Sequence, residues 1–162
     1  NNSKYWDNNC MDKWDWSAGC FTKIFSNSFP DSKISTVDIS KEHINRCKIM
    51  NSDKNNIKYN VSSSETFLKN TDKKFDLIYL DTGDMWPIEH TAKLQLREAK
   101  IIIERNLLKD KGLILIDDVR NPTSLKKGDT SVLGKAKYSI PYFLNNGYLK
   151  IMDEYQVILK KK

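Results

Sequence analysis

Lys74-Phe-Asp-Leu-Ile-Tyr-Leu-Asp81 and, further along, Lys111-Gly-Leu-Ile-Leu-Ile-Asp-Asp118 decide the fold of this chain. Each is a short apolar run that ends abruptly in carboxylates. Such runs are what buried parallel strands look like when they deliver acidic side chains to the carboxyl edge of an α/β sheet, the edge at which ligands bind. Between them, after a loop at Gly83 to Pro87, Glu89 to Leu108 carries Leu94, Leu96, Ala99, Ile102, Ile103 and Leu107 at roughly helical spacing. Gly112 separates that helix from the second run, whose strand is read as Leu113 to Ile116. Strand, helix and strand in this order predict a parallel pair joined by a right-handed crossover.

The same alternation extends upstream. Lys33-Ile-Ser-Thr-Val-Asp38 is short and β-branched, and Ser40 opens a helical stretch to about Met50 with Ile44, Cys47 and Ile49 as its inner face. Asn56-Ile-Lys-Tyr-Asn-Val61 is a further strand, after which Ser62 to Ser64 supply caps for a short helix containing Phe67 and Leu68. Downstream, Pro122 to Gly134 is rich in Gly, Ser, Thr and Lys and reads as a loop. Lys137 to Asn145 reads as a helix ending near Gly147, followed by strands Tyr148 to Met152 and Tyr155 to Lys160, joined through Asp153-Glu154.

Composition narrows the class. At 162 residues the chain has the length of one domain, and 39% hydrophobic residues suffice for a core. Residues 12–162 are expected to form that domain, with 1–11 as a lead-in; because the chain begins at Asn1, its start is expected to be processed or incomplete. No apolar run approaches the roughly 18 to 20 residues that span a bilayer, so a soluble protein with no membrane partner is expected. Cys10, Cys20 and Cys47 are odd in number and lack CxxC spacing, which fits a reducing, cytoplasmic compartment better than a disulfide framework or a zinc site. The net charge of +6 comes from scattered lysines and from Lys160-Lys161-Lys162, expected to be a solvated tail. With no basic helix or aromatic-basic cluster, nucleic acid is not expected as a partner.

Taken together, the acidic-ended strand at Asp38, the Phe75 to Asp81 strand, Leu107-Leu-Lys-Asp-Lys-Gly112 leading into Leu113 to Asp118, and the terminal strand pair resemble a class I S-adenosylmethionine-dependent methyltransferase. The resemblance covers about residues 12 to 160. It implies a three-layer, Rossmann-like α/β fold whose sheet is mostly parallel with an antiparallel C-terminal strand. Asp110 and Lys111 stand where the family usually has Pro and Gly, a change that a surface turn tolerates. In place of the family's GxGxG-like turn the chain has Asp15-Trp-Ser-Ala-Gly-Cys-Phe-Thr22, where Trp16 substitutes poorly for glycine.

The resemblance implies that S-adenosylmethionine is held by Asp15, Ser17 and Gly19 in that turn, by Asp38 and Ile39 at the second strand's end, and by Ser63, Ser64 and Asp81. Asp38 is the sharpest of these, since a carboxylate there accepts both ribose hydroxyls; it or Ser40 also suits a helix cap. Ser63 and Ser64 read equally well as caps. Asp81, Asp117 and Asp118 are similar to the metal set of small-molecule O-methyltransferases, in which Mg²⁺ holds substrate oxygens. Asp84 falls where those enzymes often have a lysine base, and Asp81, Asp84 and His90 are the candidate catalytic groups. The alternative for the aspartates is capping and solvated charge, with Lys135 and Lys137 neutralising them without metal. Trp86, Tyr138 and Tyr142 are candidates for an acceptor wall.

The leading expectation is therefore O-methylation of a small molecule or sugar. A catalytically silent binding module of the same fold is the first alternative, favoured by the altered glycine turn. An enzyme using a nicotinamide cofactor is the second, disfavoured by the poor GxGxxG match and the C-terminal strand pair. Oligomeric state is not legible.

Overall fold

The computed structural model describes residues 19–83, 87–119 and 134–162. The described residues fall into two compact units that divide between Phe67 and Leu68. The expected lead-in at 1–11 and most of the altered glycine turn lie outside the described residues.

In the first unit, Gly19 precedes helix α1 (Cys20–Ser28) with a positive φ of 82°. A Cβ at Gly19 would stand 2.4 Å from Cys47 Sγ, so the turn requires glycine on both steric and conformational grounds. Strands β1 (Ile34–Asp38) and β2 (Ile57–Val61) pair in parallel, Ile34 opposite Ile57 and Asp38 opposite Val61. A parallel pair needs a crossover, which α2 (Lys41–Met50) supplies. The Ser40 hydroxyl caps α2 by accepting the His43 N–H at 3.3 Å. Its buried face is Ile44, Cys47 and Met50; Ile49, expected inside, is half exposed, because the face closes at the third residue after Cys47 rather than the second. Helix α3 (Ser64–Asn70) follows β2.

In the second unit, β3 (Phe75–Leu80) and β4 (Leu108–Ile116) pair in parallel around helix α4 (Ile88–Glu104). The expected helix ran to Leu108 and the expected strand began after Gly112. Instead, Asn106 adopts a positive φ of 50° and ends the helix early, and Leu107 and Leu108 turn inward beside β3. Pairing then jumps from Phe75–Leu108 to Leu77–Leu113, so that Lys109 to Gly112 form an irregularity inside the strand rather than a boundary before it.

A 3-10 turn (Gly134–Ala136) and helix α5 (Ser139–Asn145) lead to β5 (Tyr148–Asp153) and β6 (Val157–Lys161). The sheet order is β3-β4-β6-β5, with β6 antiparallel to both neighbours. It is thus the one reversed strand of this sheet, as expected. Lys160 and Lys161 belong to β6 rather than to a solvated tail, and Lys161 Nζ donates to the Asn106 side chain and the Leu108 carbonyl at 2.8 and 3.2 Å. The core gathers Ala99 and Ile102 of α4, Ile114 and Ile116 of β4, Phe143 of α5, and Val157 and Leu159 of β6, all inaccessible to solvent. Among the described residues no helix is long and apolar enough to cross a membrane.

Candidate functional site

Asp38 is the last residue of β1, and the turn into α2 sets its carboxylate. The Ser40 N–H donates to Oδ1 at 2.7 Å, and His43 Nδ1, one turn into α2, lies 3.2 Å from Oδ2. One strand end and one helix start therefore hold the two oxygens from the same side. A carboxylate has about four lone-pair sites; among the described residues each oxygen has one side-chain or amide partner and retains capacity for another. Asp38 and His43 are each about two-fifths exposed. Ile39 is 76% exposed and Val61, opposite Asp38, 54%, so an apolar ledge flanks a half-engaged carboxylate. Those residues fit an adenosine: a diol for the carboxylate and a flat apolar base for the ledge.

Behind that edge, Thr22 donates to Thr36 at 3.3 Å, and burial pushes the Cys47 thiol up, against hydrogen bonds that lower it. Cys47 is an inert packing group against which Gly19 closes. Cys20, like Cys47, is buried. Ser63 caps α3: its hydroxyl accepts the Thr66 N–H at 3.1 Å and lies 2.8 Å from the Thr66 hydroxyl, and Ser64 is the first helical residue. The capping alternative thus has direct geometry behind it.

The second cluster lies in the other unit, where β3 and β4 end side by side. The Asp117 N–H donates to the Leu80 carbonyl at 3.0 Å, carrying the parallel ladder one step beyond the strands. Asp81 and Asp118 are both bound by Lys135, whose Nζ lies 2.7 Å from Asp81 Oδ1 and 2.9 Å from Asp118 Oδ2. The same ammonium reaches the Gly83 carbonyl at 3.4 Å. Tyr79 donates to Asp117, and Tyr155 donates to Asp118. Burial by itself would lower the Lys135 pKa, but Asp81 and Asp118 outweigh it and hold the ammonium above its ordinary value. Burial would likewise raise Asp118, yet Tyr155 and Lys135 leave it below the usual carboxylate range. Burial does push Asp81 up, against the pull of Lys135. Tyr79, raised by burial and by Asp81, and Tyr155, raised chiefly by its bond to Asp118, remain protonated donors.

At the three expected metal ligands the structure places other partners. Asp81, Asp117 and Asp118 do come together, but their inward oxygens face an ammonium and two phenols rather than one another. Among the described residues no three His, Cys, Asp or Glu side chains are disposed to hold a metal ion. With Asp81 and Asp118 paired to the Lys135 ammonium, the set does not present the near-octahedral oxygen coordination that Mg²⁺ demands.

The other expected residues are spread. Asp15, Ser17, Asp84 and Trp86 lie outside the described residues. His90 is exposed on the first turn of α4, where its N–H donates to the Pro87 carbonyl at 3.1 Å. Lys137 is taken by Glu89, which also accepts the Tyr138 hydroxyl at 3.0 Å. Of the two lysines considered as neutralisers, only Lys135 serves the aspartates.

Three features escaped the sequence reading. His43 beside Asp38 had a signal, its position three residues past the Ser40 cap. Tyr79 as a carboxylate donor had only the alternation of β3, and Tyr155, expected to open the last strand, instead lies in the turn before β6, which begins at Val157. Gln95 and Glu98 were hidden by their polarity: both are inaccessible on the inner face of α4, where Gln95 accepts from Ser139 at 2.7 Å and Glu98 from Thr82 at 2.6 Å.

Comparison with known proteins fits this geometry. The family model described as "Methyltransferase domain" matches residues 18–157. Malonyl-[acyl-carrier protein] O-methyltransferase 2 of Ilyobacter polytropus is 29% identical over 147 residues, 87% of this chain and 53% of that protein. The chain therefore spans about half the length of that curated relative. Among solved structures, the N-methyltransferase NodS of Bradyrhizobium japonicum WM9 in complex with S-adenosyl-L-homocysteine aligns with a TM-score of 0.61 at 17% identity, over 90% of this chain and 74% of NodS. The Podospora anserina methyltransferase PaMTH1, also bound to S-adenosylhomocysteine, aligns with a TM-score of 0.56 at 17% identity, over 80% of this chain and 60% of its own. At these identities the structures show the shared fold. With strand-end carboxylates, one reversed strand and a family model matched over most of its length, the chain belongs to the class I S-adenosylmethionine-dependent methyltransferases.

Proposed function

We propose that this domain binds S-adenosylmethionine through Asp38 and Ile39 and transfers its methyl group to an oxygen of a small acceptor. The observation that carries the cofactor half is Asp38, whose two oxygens are oriented by Ser40 and His43 while each keeps room for a ribose hydroxyl. The relative from Ilyobacter polytropus, named as an O-methyltransferase, supports oxygen as the acceptor atom.

Bound in this way, the sulfonium supplies an activated methyl group, and the protein's work is alignment rather than covalent chemistry. Asp38 fixes the ribose. Ile39 and Val61 offer apolar surface to the base. Gly19, glycine by necessity, keeps the turn before α1 free of a side chain. A hydroxyl acceptor would need a base, for which Asp81, Asp84 and His90 are the candidates; a carboxylate acceptor would need none. Among them Asp81 is held by Lys135, an arrangement that orients a carboxylate more than it frees one to take a proton.

Calorimetric titration with S-adenosylmethionine and S-adenosylhomocysteine, with NAD as the control, tests the cofactor assignment. Binding of the sulfur nucleotides alone is expected, and Asp38→Ala should weaken it by about 1 to 3 kcal/mol, the range for leaving a hydrogen-bonding group without its partner. If no nucleotide binds, the chain is a silent module of this fold.

A further inference from the structure

The place where the sequence suggests a divalent ion is filled by the chain itself. Lys135 is completely inaccessible to solvent, a rare condition for a lysine and one that requires paired charge. An ammonium has three donors, and among the described residues three oxygens lie around this one: Asp81 Oδ1 at 2.7 Å, Asp118 Oδ2 at 2.9 Å and the Gly83 carbonyl at 3.4 Å. Two carboxylates and a backbone carbonyl are the kind of oxygen set that hard cations use. The turn bearing Lys135 is fitted to its position. Gly134 takes a positive φ of 48°, and a Cβ there would stand 2.7 Å from the Asp118 carbonyl oxygen and 2.9 Å from that of Val119. Remaining negative charge is met by phenols, Tyr155 on Asp118 and Tyr79 on Asp117.

We propose that the Lys135 ammonium is a built-in cation that replaces a divalent ion at the ends of β3 and β4, so that this domain holds its strand-end carboxylates in place and binds its methyl donor without added metal. Lys135 is a positioning residue: it fixes Asp81 and Asp118 and joins the loop after β3 to the end of β4. The donor-binding arm rests on the function proposed above; the cation arm stands without it.

The test is thermal unfolding of the chain and of Lys135→Ala in EDTA, Mg²⁺ and Ca²⁺, with Na⁺ at matched ionic strength, together with donor binding by S-adenosylhomocysteine calorimetry. The unaltered chain should show the same melting temperature and the same affinity in all four. Lys135→Ala leaves two carboxylates facing each other and should melt about 10 °C lower. Ca²⁺, but not Na⁺, should recover much of that loss, and the recovery should vanish in Lys135→Ala/Asp118→Asn.

Should Lys135→Ala fail to fold in EDTA, folding restored by Ca²⁺ or by adding Asp118→Asn supports the proposal, and restoration by neither overturns it. A melting temperature of the unaltered chain that falls in EDTA and returns with Mg²⁺ would also overturn it, as would a Lys135→Ala variant that folds but is indifferent to Ca²⁺. Absence of S-adenosylhomocysteine binding in the unaltered chain, with the cation responses as expected, would instead remove the proposed function and leave Lys135 as the internal cation.

Discussion

Asp38 meets the rest of its unit through two donors of different kinds. The Ser40 amide is fixed by the backbone, whereas His43 holds Oδ2 through a side chain that mutation can remove. His43→Ala should therefore leave the strand end intact and loosen the carboxylate's orientation, weakening S-adenosylhomocysteine binding by about 0.5 to 1.5 kcal/mol, the net worth of one hydrogen bond. His43→Asn, which keeps a donor amide, should retain part of it. Calorimetry reads both, and equal affinity in all three proteins would show that His43 does not act through Asp38. Tyr59 in β2 offers a separate check on the first unit. Burial, with smaller contributions from Cys47 and Asp53, pushes its pKa from 10 to about 12. The unfolded chain then loses this proton first as pH rises from 10 towards 12, so the contribution of Tyr59 is intact below pH 10 and lost across that window. Tyr59→Phe should flatten that part of the melting temperature profile against pH; an unchanged slope would place the phenol in water.

Helices and strands were legible where one period ran undisturbed. β1, β2 and β3 begin and end within a residue of their expected positions because each is a short apolar or β-branched run between polar residues. The end of α4 was not, since Leu107 and Leu108 continue the apolar pattern while a single positive φ at Asn106 redirects the chain. Periodicity reports which residues are buried, not which element buries them. Polar inner positions fail for the same reason: Gln95 and Glu98 carry no apolar signal, and their partners Ser139 and Thr82 are far off in sequence. Ser63 had two readings in the sequence, and the start of α3 favours one. If its hydroxyl serves the Thr66 N–H, Ser63→Ala should destabilise the protein by about 1 kcal/mol in denaturant unfolding. Affinity for S-adenosylhomocysteine should hold; a parallel fall in affinity would return Ser63 to the adenine site.

Across the whole chain, the order of elements is what the sequence discloses best, because each strand-to-helix unit is local. Long-range closure is what it hides: Lys135 reaches Asp81 across 54 residues, and the sequence offers Lys135 and Lys137 alike as partners of the aspartates without showing which one arrives. The two readings that divide this molecule, working methyltransferase domain or silent module, differ in one global property. A ligand that binds only the folded chain stabilises it by mass action, by about 2.7 kcal/mol at a hundredfold excess over Kd. For a chain of this size each kcal/mol moves the melting temperature by about 2 to 4 °C. Saturating S-adenosylhomocysteine should thus raise the melting temperature by about 5 to 10 °C, NAD should not, and Asp38→Ala should lose most of the rise while melting near the unaltered protein in buffer alone. A rise with both nucleotides would point to the nicotinamide alternative. No rise with either would mean that the strand-end carboxylate at Asp38 has kept its place in the fold without its ribose.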